Sequence, residues 1–352
     1  MKNELLARLE RANPIRDDDF APTSPQALAL KQHVVLTDFT PRQARRRLPW
    51  RTLAMAAVLV AAGASATVPL LLGDKQVGAS AAAAAVLERA ALGASAYANP
   101  ASGRYSYTRA ETLYGGTSTD NPPFTYFTKS MRETWVAADG SGRVRELPSA
   151  PIFLGERDRR RLLESGDQLS SPEPTDRRVR AHYQPVSAAI LAADPTTLDL
   201  RQLDQLVSAV AQLPTDPDRL EAIIRAYAEK KDPPVESAMF GEISDLLNSP
   251  YASAELRATL YRVLARVDGV NLAGATHDPA GRAGVALNAP VGYSDATRQR
   301  LVIDPQTGRV LAAETVLTKR VDWVDAEPGT VIQSIVYLNE GWVDSLEERP
   351  TH

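Results

Sequence analysis

From Thr52 to Gly73 the chain reads TLAMAAVLVAAGASATVPLLLG, 22 residues without a charge. At about 1.5 Å rise per residue, a helix of that length spans roughly the 30 Å hydrocarbon core of a bilayer. Lipid offers no partner to backbone N–H and C=O groups, so a lone segment crossing it has to be helical. The segment therefore divides the chain into two parts that face different surroundings.

Which part lies inside follows from charge. Arg42, Arg45, Arg46, Arg47 and Arg51 precede the segment with no acid among them, while Asp74 and Lys75 follow it. The positive-inside bias places the N-terminus in the cytoplasm, and Trp50 stands where an interfacial aromatic anchors a span. Residues 1–51 hold ten Lys/Arg against six Asp/Glu, so of a total charge of −3 the remaining 301 residues carry −7. Two other readings stand beside the anchor. An Ala-rich apolar stretch also suits a buried helix, although five arginines at one end are unusual for one. Ala64-Ser65-Ala66 and Ala79-Ser80-Ala81 both resemble signal-peptide cleavage sites, but the leader before the apolar run exceeds a signal's basic region. We therefore expect a cell-membrane protein of one span, with a cytoplasmic basic tail over 1–51, a transmembrane helix over 52–73 and an extracytoplasmic domain beyond. Pro69 falls near the outer end, where a kink is tolerated.

The 44% apolar and 24% charged content excludes disorder throughout. With no cysteine in the chain, disulfides, thiolate metal sites, a thiol nucleophile and the lipidated cysteine that anchors bacterial lipoproteins are all excluded.

In the cytoplasmic part Lys2 to Ala12 has helical spacing, with Leu5, Leu6 and Leu9 as a narrow apolar stripe before Pro14. Three leucines bury little alone, so the stripe is either a frayed tail or a helix that needs a partner. After the span, residues 74–98 suit a stalk or the first helix of the outer domain. Residues 99–345 read as an extracytoplasmic α+β domain and 346–352 as a tail. Arg104 to Tyr114 and Phe124 to Ala137 have strand character, and Asp139-Gly140-Ser141-Gly142 turns the chain into Arg143 to Leu147 as a hairpin. Glu156 to Ser165 predicts a short charged helix, residues 166–186 a polar loop, and Leu200 to Leu213 carries a mixed signal.

Three amphipathic helices follow. The first, Asp216 to Lys230, has Leu220, Ile223, Ile224 and Tyr227 at i, i+3, i+4 and i+7 with Thr215 or Asp216 as cap. The second and third are Val235 to Leu247 and Ser253 to Val267, with Gly269 as the stop. Strands over Val270–Thr276, Ala283–Leu287, Gln299–Ile303, Arg309–Thr318 and Val331–Asn339 are separated by Asp278–Gly281 and Asp304–Gly308, typical turn chemistry. Short loops imply antiparallel neighbours. The expected fold class is α+β: a curved, half-barrel-like antiparallel sheet with a helical insertion packed on one face, preceded by one transmembrane helix.

Catalytic signatures are missing from the sequence. There is no G-x-S-x-G turn, no Ser three residues before a Lys, no phosphate loop and no G-x-G-x-x-G. His33, His182, His277 and His352 are scattered singly, and Glu156, Asp158, Asp194, Asp199 and Asp204 are read as solvated faces. The run Arg157 to Arg161 reads as a charged helix face. An acidic outer part speaks against nucleic acid. No cofactor, metal or catalytic residue is therefore expected, and the protein is expected not to be an enzyme. The one binding hypothesis is aromatic: Tyr105, Tyr107 and Trp135, if directed to the concave side of the sheet, would line a groove for a lipid or lipid-linked ligand. The competing reading packs them under the three helices.

Residues 40–345 resemble a family of actinobacterial single-pass membrane proteins often encoded beside extracytoplasmic-function sigma factors. The resemblance rests on the Arg-rich entry to the span, SYTRAETLY, RETWVAADGSGRVRE and LPTDPDRLEAIIRAYA. It continues through LRATLYRVLARVDGVNLAG, DPAGRAGVAL, RLVIDPQTGRVLAAETVL and PGTVIQSIVYLNEGWVDS. It implies no catalytic residues. The order of elements is also similar to the half-barrel of lipoprotein-carrier and periplasmic anti-sigma-regulator proteins, an analogy of fold. Two functions follow as expectations. One is an envelope sensor or sigma-factor-linked regulator whose tail meets a cytoplasmic regulator through Leu5, Leu6 and Leu9. The other is an extracytoplasmic carrier for a lipidic ligand.

Overall fold

The computed structural model describes residues 78–96, 103–118, 123–166, 169, 172–180, 186–231, 234–292 and 294–350. The apolar segment 52–73, the arginines Arg42 to Arg51 and the leucine stripe Leu5, Leu6 and Leu9 lie outside the described residues. Among those described, no helix is long and apolar enough to cross a membrane.

The fold is α+β, built on a large open antiparallel sheet. The first helix, α1 (Ala81–Ala96), leads into β1 (Tyr105–Thr117), β2 (Thr125–Ala137) and β3 (Ser141–Pro148). After α2 (Glu156–Ser165) comes β4 (Thr175–Arg180), and then a helical insertion of α3 (Ala188–Ala192), α4 (Leu200–Ser208), α5 (Pro217–Glu229), α6 (Val235–Leu247) and α7 (Ala254–Leu264). The chain closes with β5 (Asn271–His277), β6 (Ala283–Asn288), β7 (Thr297–Asp304), β8 (Arg309–Leu317) and β9 (Val331–Val343). Spatial order is β4-β3-β2-β1-β9-β8-β7-β6-β5. Two meanders are thus joined where the last strand pairs antiparallel with the first, Tyr105 opposite Val343.

Two features depart from the sequence reading. Within the expected loop 166–186, Thr175–Arg180 is a strand: its residues show no apolar alternation, but it pairs with β3 at the sheet edge, where Arg143 binds Asp176 with Nε–Oδ1 2.8 Å and Nη2–Oδ2 2.7 Å. The mixed region from Leu200 opens as a helix because Asp199 caps it, accepting from the Gln202 amide while the Gln202 side chain accepts from the Asp199 amide, a complete capping box. Of the two caps expected for α5, Asp216 is the one that serves, and Ser253, expected as the first residue of the third helix, is instead the cap of α7. Gly269 turns the chain after α7 with φ +81°, a conformation that costs glycine no Cβ clash.

The main core lies between the helices and one face of β6 to β8. Leu220, Ile223 and Ile224 of α5, Met239 and Ile243 of α6, and Leu260 and Leu264 of α7 are buried in one cluster with Leu287, Leu301 and Ile303. Alanine-rich α1 belongs to the same cluster through Ala83, Leu87, Ala90, Ala91 and Ala94, so it is docked within the domain. Its small side chains let it lie close to α7 and to the β7–β8 turn, whose Gly308 has φ +66°. The domain is tied in from its first described residues: the Ala79 amide donates to Ala265 O at 3.0 Å and the Ser80 amide to Val270 O at 2.9 Å.

Candidate functional site

Tyr107 on β1 stands opposite Trp135 on β2, which stands opposite Arg143 on β3. Side chains alternate across a strand, so these three share a face, and Glu133, two residues before Trp135, joins them opposite Arg145. The other face is the helical one: Tyr337 packs on the helical core and pairs with Ala110. Ala110 is three residues from Tyr107 on a strand whose pairing with β2 runs without a shift. Tyr105, Tyr107 and Trp135 therefore face away from the helices.

These aromatic side chains are closed in. Trp135 is 0% and Tyr107 1% exposed, their rings edge to face with centroids 5.1 Å apart. Their cover is the chain after β9. Trp135 Nε1 donates to Glu348 O at 2.7 Å, Arg143 Nη1 donates to Leu346 O at 3.0 Å, and Leu346 packs in the same apolar cluster as Tyr105 and Val343. Residues 346–350, expected only as a tail, are thus a packed part of the domain.

The charges around the aromatic pair are organised on Glu133. Its carboxylate accepts the Tyr107 hydroxyl at 2.7 Å and both sides of the Arg349 guanidinium, Nη2 to Oε2 at 2.9 Å and Nε to Oε1. Arg145 stands 3.5 Å away. Arg349 is the main cause that lowers the Glu133 carboxyl from 4.5 to about 2, with Tyr107 assisting. Burial, and then the bond to Glu133, push the Tyr107 hydroxyl up to about 12. Arg143 and Arg349 lie over the Trp135 ring with their guanidinium carbons 5.4 and 5.7 Å from its centroid. A carboxylate held so firmly ionised is a poor proton acceptor at neutral pH. The arrangement is a fixed anion beside an aromatic face, occupied by the chain's own Arg349.

A second feature lies on the helical side. Tyr114, Tyr126, Thr128, Pro151 and Leu169 border a hollow of ≈ 310 Å³ above Gly115 and Gly116. The glycines stand opposite Phe127 and Tyr126 across the β1–β2 ladder, and a Cβ on either would meet those rings at 2.6 and 2.8 Å. Their bareness makes room for the rings.

The other residues singled out in the sequence have structural work. Asp194 and Asp199 cap helices, and Asp204 accepts the Tyr227 hydroxyl at 3.1 Å. Asp158, read as solvated, is 0% exposed because its carboxylate accepts the Asp325 amide at 2.8 Å and clips α2 to the β8–β9 connection. In the charged run, Arg159 pairs with Glu156 at 3.6 Å and Arg161 donates to Pro123 O. His277 is exposed. Among the described residues no group of three or more His, Cys, Asp or Glu is placed to hold a metal.

Glu133, Arg143 and Arg349 were missed at the sequence level. Folding RETWVAADGSGRVRE about its Asp139-Gly140 turn would have set Trp135 against Arg143 and Glu133 against Arg145. Nothing in sequence could have brought in Arg349, 216 residues from Glu133.

In comparison with known proteins, no family model and no curated protein matches this chain. Among solved structures it is similar to a chain in the complex structure of Pseudomonas aeruginosa MucA/MucB, at 15% identity over 75% of this chain and 59% of that one, TM-score 0.26. It is also similar to a DUF1329 family protein from Desulfovibrio piger, at 12% identity over 74% of this chain and 92% of that one, TM-score 0.18. At these TM-scores neither likeness carries an argument about this chain.

Proposed function

We propose that the chain is a non-enzymatic regulator of the cell membrane, with a cytoplasmic N-terminal tail, one span over 52–73 and a sensing domain on the outer face. That domain binds an envelope component or protein partner, and the tail engages a cytoplasmic regulator such as a sigma factor through Leu5, Leu6 and Leu9. The observation that carries the reading is the join. Four residues separate Gly73 from Gly78, and from Ala79 onward the backbone is hydrogen-bonded to the end of α7 and the start of β5. A change in the helical layer on binding would reach the span through a tether of at most about 18 Å. A free carrier has no use for so short a link.

A second reading, an outer-face carrier for a lipidic ligand, draws on the hollow beside Tyr114 and Tyr126, whose ≈ 310 Å³ is at the lower bound of small-molecule sites. The deciding experiment is a crosslinking pull-down of the membrane-embedded full-length protein beside a variant lacking residues 1–40, with proteins and extracted lipids both identified by mass spectrometry. A cytoplasmic regulator recovered only with the intact tail supports the regulator. Lipid recovered equally from both, with no tail-dependent protein, overturns it in favour of the carrier.

A further inference from the structure

The segment that closes the Trp135 face is held in an unusual way. Residues 344–350 form neither helix nor strand, and Glu347, Glu348 and Arg349 are exposed. Their attachments are mostly polar and directed: Glu348 O on Trp135 Nε1, the Arg349 guanidinium on both Glu133 oxygens, Leu346 O on Arg143, and Asn339 Nδ2 donating to Pro350 O at 3.3 Å. All the receiving groups stand on β2, β3 and β9, where the sheet fixes their spacing, while all the received groups belong to one short, irregular peptide. The peptide keeps itself bent, since the Glu348 carboxylate accepts the amides of Asp344 and Ser345 at 2.9 and 3.1 Å.

We propose that the Glu133–Trp135–Tyr107 face is a recognition site for an arginine-bearing peptide turn, and that Arg349 of the chain's own C-terminal segment fills it in cis. The site reads three things at once. Glu133, 7% exposed, takes a guanidinium on both oxygens, which an ammonium cannot match. The Trp135 ring offers its face to the same cation. Its indole N–H takes the carbonyl of the residue before the arginine. A nearly buried carboxylate is costly without its cation, so the site always favours some guanidinium over none. A partner presenting Arg in the same turn therefore competes with the chain's own segment, and its binding releases residues 344–350. The inference rests on the outer domain alone and stands whether or not the membrane topology proposed above is right.

The test uses the detergent-solubilised full chain and a fluorescein-labelled peptide DSLEERPTH, the sequence of residues 344–352. The tethered segment acts at an effective concentration on the order of mM, so wild-type protein should bind the peptide weakly. Arg349→Ala, which empties the guanidinium position, should bind it roughly 10- to 100-fold more tightly, as expected for a charge-assisted pair. Adding Glu133→Gln, or replacing the peptide's Arg with Ala, should remove the gain. Arg349→Ala that keeps its near-ultraviolet dichroism yet binds no better than wild type overturns the proposal. Should Arg349→Ala not fold, a protein with a protease site inserted after Asp344 is folded intact and then cut. Exchange of the cut segment for the labelled peptide supports the site, whereas a cut segment that never exchanges overturns it.

Discussion

The Glu133 carboxylate offers a quantitative test of what closes the Trp135 face. Its folded value is about 2 against an ordinary 4.5, chiefly because Arg349 hydrogen-bonds the ionised form. A gap of about 2.5 units is worth about 3 kcal/mol at 1.36 kcal/mol per unit. Arg349 is 45% exposed, so solvent screening brings the expectation to about 2 kcal/mol. Because the folded value is depressed, this stability is fully present above pH 4.5 and is lost as pH falls from there toward 2. Glu133→Gln removes the charge and leaves the shape. Urea unfolding of the wild-type and Glu133→Gln proteins, followed by tryptophan fluorescence, should show a gap of about 2 kcal/mol at pH 7. That gap should be unchanged at pH 5 and nearly closed by pH 2.5. A gap that stays constant over the whole range would refute the reasoning, because it would place the loss in packing rather than in charge.

Other outcomes follow from single contacts. Gly308→Ala should destabilise by about 3 kcal/mol or more, since the residue has φ +66° and its new Cβ would lie 2.5 Å from Ala90 O and 2.7 Å from Ala94 Cβ. Gly281→Ala, at φ +80° with open space around it, should cost only about 1 kcal/mol, and thermal melts of the two variants separate contact from backbone strain. Lys231→Ala strips the largely buried Glu242 of the ammonium 3.2 Å away. Burial already raises the Glu242 carboxyl, so this variant's deficit should be larger at pH 8 than at pH 5, and melts that shift equally at both would count against it. Asp199→Ala opens the capping box of α4 and should cost about 1 kcal/mol in urea unfolding.

What could be read in the sequence is what short-range physics controls. Leu220, Ile223, Ile224 and Tyr227 announce their helix because a period of 3.6 puts them on one side, and Thr215 or Asp216 announces its start because a side-chain oxygen there meets otherwise unpaired amides, Asp216 being the one that does so. Asp278–Gly281 and Asp304–Gly308 announce turns because glycine alone takes a positive φ without cost, and Gly281 and Gly308 do so. The α+β class followed from those elements in order. By contrast β4 was hidden, since TDRRVR has no apolar alternation and becomes a strand only beside β3. Arg143 then meets Asp176 across the ladder.

The aromatic site depended on distance along the chain. The residues Tyr105, Tyr107 and Trp135 were readable, and so was the hairpin that sets Trp135 against Arg143. Which way they face was not, because that depends on where the helical insertion packs and on a register shift in the β1–β9 pairing beside Ala110. Their cover was not readable either: Glu348 and Arg349 reach β2 only because β9 pairs with β1 and delivers the end of the chain there. The sequence by itself determined the local elements, their caps and their turns, since each is decided by neighbours a few residues away. Only the tertiary structure decided which face is covered, by what, and at which charge, because an open sheet whose first and last strands pair in its middle brings together groups whose meeting no local preference encodes.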